Sequence, residues 1–160
     1  MNLIQSEHPM LLAKSDPWRE DKWGKNVLEG MADEAFQVMK ENNGVGLAMN
    51  QVGVDCASFI IDGDYLESRM GGGSSGKKYY LFCNPKWVAL GVDTSRKAEG
   101  CLSLDGKYKV KRAKRIFAEW YNPQGIRYHT RMSGDLARCF QHEYDHTQGI
   151  LINNKGKIIK

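Results

Sequence analysis

Apolar residues recur at steps of three and four in the first third of the chain, which predicts an amphipathic helix over residues 26–42. The positions of this apolar face are Val27, Leu28, Met31, Ala35, Val38 and Met39. Gly44 is expected to end the helix, because glycine readily adopts the left-handed conformation of many helix C-termini. A second helix is predicted from Ser133, a suitable N-cap, to about His146.

Between the two helices the chain changes to short segments rich in aromatic and β-branched residues, which are typical of strands. These segments cover residues 57–61, 79–83, 87–92, 107–110, 115–121 and 126–130. An Asn-Pro-Gln-Gly turn before the last segment predicts a hairpin, and connections this short favour antiparallel pairing. Strands grouped between two helices predict an α+β fold, with antiparallel sheets packed around the central second helix.

The composition is that of one ordinary globular domain. Of the 160 residues, 41% are hydrophobic and 26% charged, so one domain over residues 1–160 is expected and a disordered or fibrous chain is excluded. Residues 70–78, rich in glycine and serine, are predicted to be a flexible loop. Apolar runs are short, so no membrane association is expected. The net charge of +4 does not by itself indicate nucleic-acid binding.

The four cysteines are widely spaced and include no C-x-x-C pair. This spacing is typical of reduced thiols rather than of a secreted disulfide framework. The first residues lack a basic segment followed by an apolar stretch, so no signal peptide is predicted. These features together predict a cytoplasmic protein.

The strongest chemical signal is the sequence His-Glu-Tyr-Asp-His at residues 142–146, inside the second predicted helix. Residues four apart share a helix face, so His142 and His146 can reach one metal ion while Glu143 points at its bound water. A divalent metal lowers the pKa of water from about 15.7 to about 7, and a nearby carboxylate can accept the proton. This pattern predicts hydrolase chemistry. The alternative is a solvated helix surface that carries these side chains without a ligand.

A catalytic site of this type needs a third protein ligand, and the sequence restricts its position. Ile152 stands where the metzincin pattern requires a histidine, and the segment after the helix has no His, Asp, Glu or Cys. The ligand must therefore lie upstream. Cys101 is favoured, because the glycine beside it lets the backbone approach a ligand, although taken alone it could equally be structural. Cys83 and Cys139 lie in an apolar strand and in the helix, where packing is the simpler role.

A third motif follows the first helix, where residues 44–53 read GVGLAMNQVG. These glycines follow a helix rather than a strand, so they do not fit a dinucleotide-binding fingerprint. Small residues here let a substrate backbone lie close, and the amide of Gln51 can donate a hydrogen bond to a developing oxyanion. A helix cap followed by a tight turn explains the same residues equally well.

Together the three motifs resemble those of the peptide deformylase family. They read GVGLAMNQ, EGCLS and HEYDH, in the order of the family patterns G-x-G-x-A-x-x-Q, E-G-C-x-S and H-E-x-D-H. The resemblance implies a hydrolase that removes the N-formyl group from the formylmethionine of nascent peptides and releases formate. The implied metal ligands are Cys101, His142 and His146. They would hold one ion per chain, usually Fe2+, for which Zn2+, Ni2+ or Co2+ can substitute.

The resemblance also implies the roles of other site residues. Glu143 acts as general base and then as general acid, while Gln51 and the backbone N–H of Leu102 stabilise the oxyanion. The substrate lies as an added strand along the site. The implied substrate-binding positions are Gly44, Val45, Gly46, Glu99, Gly100, Arg138 and Cys139. Asp145 is expected to pair with Arg112 behind the metal ligands, and a solvated helix acid is the alternative for Asp145.

Three features depart from the family pattern. Met49 replaces a small alanine of the first motif. Asp135 and Arg138 lie seven and four residues before His142, where relatives usually have apolar residues lining the methionine pocket, so we expect an altered preference at or after methionine. The chain ends 14 residues after His146, whereas many bacterial relatives add a C-terminal helix that docks on the ribosome. Such a short form resembles the deformylases of some bacteriophages.

Two other functions stay open from the residues alone. One is a metallo-hydrolase of the same fold acting on another N-acyl or peptide substrate, and the other is a ribosome- or RNA-binding module using the basic segment 107–115. Alternation of Lys107, Lys109 and Lys111 places three cations on one strand face, which is typical of a solvated sheet. The resemblance instead implies a monomer that acts on formylmethionyl peptides near the ribosomal exit tunnel, in a bacterial or phage-infected cytoplasm, without a membrane or specific DNA partner.

Overall fold

The computed structural model describes residues 1–24 and 26–160, and the elements below are those of these residues. The α-helices are α1 (Glu20–Trp23), α2 (Val27–Glu41), α3 (Gly63–Met70) and α4 (Gly134–Thr147). Single 3₁₀ turns cover Pro9–Leu11, Met49–Val52 and Ile152–Asn154. The strands are β1 (Gly46–Ala48), β2 (Ser58–Asp62), β3 (Tyr79–Ala89), β4 (Thr94–Cys101), β5 (Leu104–Ala113), β6 (Arg115–Tyr121), β7 (Arg127–Ser133) and β8 (Gly156–Ile158).

The strands form two antiparallel sheets, one in the order β1-β2-β3-β6-β7 and one in the order β4-β5-β8. This confirms the predicted α+β fold, and the hairpin of β6 and β7 forms as expected. Strand β2 is buried along its whole length because both of its faces are covered. Ile60 packs in the core under α2, while Phe59 packs in the core under α4, 5.1 Å from the ring of Phe140.

Helix α4 is the central element, as its sequence predicts. Leu136, Ala137 and Phe140 bury its apolar face against the larger sheet. On another face, the Gln141 amide donates to the backbone oxygen of Ala113 at 2.9 Å and accepts from its N–H at 3.0 Å. These two bonds attach the helix to the end of β5, so the helix that carries the histidines lies between the two sheets.

Helix α2 agrees with the predicted range to within one residue at each end, but the left-handed residue after it is Asn43 (φ 58°) and not Gly44. Asparagine tolerates this conformation better than most residues. One predicted boundary between strands is wrong. The two strands predicted over 79–83 and 87–92 are one strand, β3. Its pairing with β6 shifts register between Cys83 and Lys86, where Asn84 has φ 48° and the following proline lacks an N–H.

Several elements have too few regularly spaced apolar residues to be predicted from the sequence. Helix α3 and strands β1, β4 and β8 are short or mostly polar. None of the predicted strands includes Cys101, which is the last residue of β4. The predicted loop begins one residue later than expected, since Met70 ends α3, and residues 72–78 lack regular secondary structure. No helix in the described part of the chain has both the length and the apolarity needed to cross a membrane.

Candidate active site

A groove of about 580 Å³ lies where β1, the end of β4 and α4 meet. It brings together positions from all three sequence motifs, although these are far apart in the chain. Its lining includes Gly44, Val45, Gly46, Gln51, Glu99, Gly100, Cys101, Leu102, Arg138, Cys139, His142 and Glu143. Every position that the resemblance implies for substrate binding therefore faces the same cavity. We call this cavity the central groove.

Cys101, His142 and His146 each offer one metal-binding atom, and these atoms lie within 4.8 Å of one another. Cys101 and His142 line the central groove, and His146 is buried beside them. The thiol Sγ is 3.5 Å from Nε2 of His146, and the two imidazole centroids are 5.1 Å apart. The cysteine ends β4, whereas the histidines are one turn apart on α4. A thiolate with two imidazoles suits Zn2+ or Fe2+ better than the hard cations Mg2+ or Ca2+.

Glu143 lies beside these three side chains and is only 4% exposed. One of its oxygens is 3.8 Å from Nε2 of His142, and the other has no hydrogen-bond partner among the described residues. Burial raises the pKa of Glu143 to about 7, against the opposing influence of His142. A carboxyl group with a pKa near 7 is suited both to accept a proton and to return it.

Gln51 is buried in the 3₁₀ turn Met49–Val52, and its amide is fixed at both ends. Its oxygen accepts a hydrogen bond from the Ala48 N–H at 3.0 Å. Its Nε2 donates to the Ser103 hydroxyl at 3.1 Å and lies 3.6 Å from Sγ of Cys101. The amide donor is thus held beside the cysteine ligand. Ser103 was not predicted as a site residue, although it belongs to the EGCLS motif that the sequence analysis singled out.

Two glycines let the walls of the central groove come together. A Cβ on Gly46 would lie 3.0 Å from Sγ of Cys139 and 3.1 Å from Cγ of Glu143. A Cβ on Gly44 would lie 2.9 Å from the Leu102 side chain. Strands β1 and β4 are each the outermost strand of their sheet, so both present an edge to the groove. An extended peptide between two such edges can form main-chain hydrogen bonds with either.

Glu99, next to the groove, is the acceptor of a buried network of charges. The Arg112 side chain donates to both of its oxygens at 3.0 Å, and Nδ1 of His142 lies 2.8 Å from Oε1. Burial alone would raise the pKa of Glu99, but hydrogen bonds from His142 and Arg112 lower it to about 2. Arg112 also donates to Asp145, so the expected pair of these two residues is present and Asp145 is buried rather than solvated.

Asp135 and Arg138 occupy different environments despite their proximity on α4. Asp135 is exposed at the rim of the groove, where it forms an ion pair with Lys97 at 3.4 Å. The Arg138 guanidinium is buried and donates to Glu99 and to groups of β4 and β5. Its donors are therefore engaged by the protein itself. Of the two, only Asp135 carries its charge on an exposed side chain at the rim of the groove.

All four cysteines are free thiols, in agreement with their spacing. Burial raises the pKa of Cys56 to about 11 and that of Cys83 further. Burial also raises the pKa of Cys139 well above its usual value, with an added effect from Glu143. These three thiols are therefore protonated at neutral pH and pack as small apolar groups, which leaves Cys101 as the thiol in the metal-binding cluster.

Comparison with known proteins shows what this arrangement is similar to. Residues 1–159 match the family model described as polypeptide deformylase. A peptide deformylase of Zymomonas mobilis is 37% identical over 125 residues, which are 78% of this chain and 69% of the relative. One of Bifidobacterium adolescentis is 30% identical over 161 residues, covering 99% and 73% of the two chains. The class I type b peptide deformylase of Acinetobacter baumannii, 26% identical, superposes with a TM-score of 0.83 over 97% of this chain and 98% of that one.

Proposed function

This chain belongs to the polypeptide deformylase family, and we propose that it hydrolyses the N-formyl group of nascent peptides in the central groove. The observation that carries this assignment is the meeting of Cys101, His142 and His146 within 4.8 Å, next to the buried Glu143. The relatives favour neither hydrolysis of another acyl substrate nor an RNA-binding module. We propose that residues 1–160 form one catalytic domain.

The family consists of metalloenzymes, and the three donor side chains fit a divalent ion. Cys101, His142 and His146 would hold it, with Nε2 of His146 3.5 Å from Sγ of Cys101. We propose Fe2+, with Zn2+, Ni2+ or Co2+ as substitutes, because thiolate and imidazole ligands suit these ions. When bound, such an ion supplies Lewis-acid chemistry and lowers the pKa of water from about 15.7 to about 7.

Glu143 is proposed to move the proton of the reaction. Glu143 lines the groove from α4, one of its oxygens has no hydrogen-bond partner among the described residues, and its pKa of about 7 allows it to exist in either protonation state near neutral pH. It takes a proton from the water that attacks the formyl carbon. When the C–N bond breaks, it passes this proton to the amine nitrogen, so formate and a free α-amine leave.

Two donors are proposed to stabilise the oxyanion formed by this attack. The Gln51 amide is held with Nε2 toward the cysteine ligand by its contacts with Ala48 and Ser103. The second donor is the backbone N–H of Leu102, which directly follows the ligand Cys101. Donors held in place before the reaction stabilise developing charge without reorganisation, which is why such groups contribute strongly to rate.

The peptide is proposed to lie between the edges of β1 and β4, with main-chain contacts to Val45, Gly46 and Gly100. Support comes from the exposure of both edges to the groove and from the absence of side chains at the two glycines. We further propose a cytoplasmic monomer that meets its substrates near the ribosome. The free state of all four thiols agrees with a reducing compartment.

The test is formate release from a formyl-Met tripeptide by protein prepared without oxygen and loaded with iron or nickel. We expect turnover by the wild type and a loss of about 10²–10⁴-fold in kcat for Glu143→Ala, because the proton carrier is removed. Cys101→Ser should lose both metal and activity. Absence of turnover by wild-type protein with one ion bound would overturn the assignment, and full metal occupancy in Cys101→Ser would overturn the ligand set.

A further inference from the structure

Arg138 lines the central groove, yet its guanidinium donates four hydrogen bonds to the protein itself. Its Nη1 donates to Oε2 of Glu99 at 2.6 Å and to the backbone oxygen of Val110 at 2.9 Å. Its Nη2 donates to the backbone oxygen and the hydroxyl of Ser95, at 2.8 and 3.0 Å. The residue is 8% exposed. Contacts to two strands therefore fix the guanidinium independently of Glu99, so the guanidinium can in turn fix the carboxylate.

With Arg138, two buried guanidiniums contact the two buried carboxylates of this network. Two buried carboxylates, Glu99 and Asp145, share the Arg112 guanidinium. Arg138 adds the second buried cation, whereas Lys155, whose side chain is 37% exposed, pairs with Asp145. Without Arg138, the two carboxylates would depend on one buried guanidinium. A buried charge that loses its partner is costly, so Glu99 would move, take up a proton or attract water.

Glu99 in turn contacts a metal ligand. Its Oε1 lies 2.8 Å from Nδ1 of His142, so an Nδ1–H donor there leaves Nε2 as the nitrogen with the free electron pair. Arg138 precedes His142 by four residues on α4, so both side chains reach the same carboxylate from one helix face. Glu99 is thus contacted by Arg138 and His142 from α4 and by Arg112 from β5.

We propose that Arg138 is a positioning residue for deformylation, which holds Glu99 against Nδ1 of His142 so that the imidazole presents Nε2 to the metal. This inference rests on the metal ligands proposed above. Arg138 does not touch the reacting atoms in this role. Partners of metal-bound histidines commonly change metal affinity or activity by about 10–100-fold when they are removed. Arg138 acts one step further out, through Glu99.

The experiment compares Arg138→Met and Arg138→Lys with the wild type and with Arg96→Met. Arg96 is an exposed arginine on the same strand as Glu99, opposite Lys111 in the pairing of β4 with β5, and it serves as the matched control. Three quantities are measured under anaerobic conditions: the Co2+ dissociation constant by chelator competition, the visible absorption of the Co2+ protein, and kcat and KM for the formyl-Met tripeptide. Thermal unfolding without added metal reports stability separately.

For Arg138→Met we expect Co2+ binding about 10-fold weaker, a changed Co2+ spectrum and a lower kcat with nearly constant KM. Arg138→Lys should recover part of the affinity, because it restores the charge but cannot contact Glu99, Val110 and Ser95 together. Arg96→Met should match the wild type. A folded Arg138→Met protein with wild-type affinity and spectrum overturns the proposal, even if its unfolding temperature falls, because the residue would then be only a structural clamp.

If Arg138→Met does not fold, Arg138→Lys decides the question. A several-fold weaker Co2+ affinity supports the proposal, and wild-type affinity overturns it. Failure of the proposed function is recognised separately, by the absence of formate release from the metal-loaded wild type. Equal Co2+ binding by the wild type and Cys101→Ser would instead show that the ligand set is wrong, whatever Arg138 does.

Discussion

The glycines of the central groove determine how closely its walls approach each other. Gly46 lies on β1 directly against α4, with Cys139 and Glu143 as its nearest neighbours. Because any Cβ would fall 3.0 to 3.2 Å from three of their atoms, the glycine is required for packing and not for an unusual backbone angle. The same contact restricts the rotation of Glu143, which we propose as the proton carrier. Gly46 therefore affects both the packing of β1 on α4 and the orientation of Glu143.

We predict that Gly46→Ala lowers kcat and destabilises the protein by about 1–3 kcal/mol, as expected for an overpacked buried site. The matched control is Gly30→Ala on α2, where a Cβ would meet nothing within 4 Å and helix propensity favours alanine. Denaturant unfolding and formate release measure the two effects. Wild-type stability and activity in Gly46→Ala would show that β1 can move away from α4 without cost.

Pairs of elements, rather than single ones, create the groove. Strands β1 and β4 belong to different sheets, and each contributes a free edge. Helix α4 closes the space between them and carries two of the proposed metal ligands. At the outer end of this space the exposed Asp135 of α4 faces Lys97 of β4 across the rim. The charge at this rim therefore depends on one side chain from α4 and one from β4.

We predict that Asp135→Leu changes selectivity at or after methionine, because it replaces a charge at the groove rim by an apolar side chain. A panel of formyl peptides with acidic, basic and apolar residues at these positions measures kcat/KM. Peptides with a basic residue should lose most relative to the others, since the attraction of the carboxylate is removed. Lys97→Met, which removes the partner charge, should shift selectivity in the opposite direction. An unchanged ranking in both variants would contradict the prediction.

Across the whole molecule, the proposed metal site joins the two sheets. Cys101 ends a strand of the smaller sheet, while the helix with His142 and His146 packs on the larger one through Phe140. The ligands are thus brought together only in the folded chain. A ligand that binds the folded state alone stabilises it in proportion to its affinity and concentration.

We therefore predict that Ni2+ or Zn2+ at a free concentration of 100 times Kd raises the free energy of unfolding by about 2.7 kcal/mol. Cys101→Ser should lose most of this gain. Mg2+, which prefers oxygen ligands, serves as the control and should give no shift. Equal stabilisation of the wild type and Cys101→Ser by Ni2+ would indicate that the ion binds elsewhere.

The sequence by itself determined the elements with strong local periodicity and the chemistry of the motifs. Helices α2 and α4 and the β6–β7 hairpin were predicted because their apolar spacing and turn residues are local signals. The motif residues were identified from the H-E-x-x-H spacing within one helix and from the resemblance of the three motifs to those of the peptide deformylase family. None of these inferences depends on contacts between distant segments.

Only the tertiary structure decided where the polar segments lie. Strand β4 is mostly exposed and polar, so its pairing with β5 could not be predicted from its own pattern. The ion pair of Arg138 with Glu99 could not be predicted either, because Glu99 lies 39 residues earlier in the chain. A buried charge needs an opposite charge close in space, whatever its distance in sequence, and that partner is chosen by the packing of α4 against the two sheets.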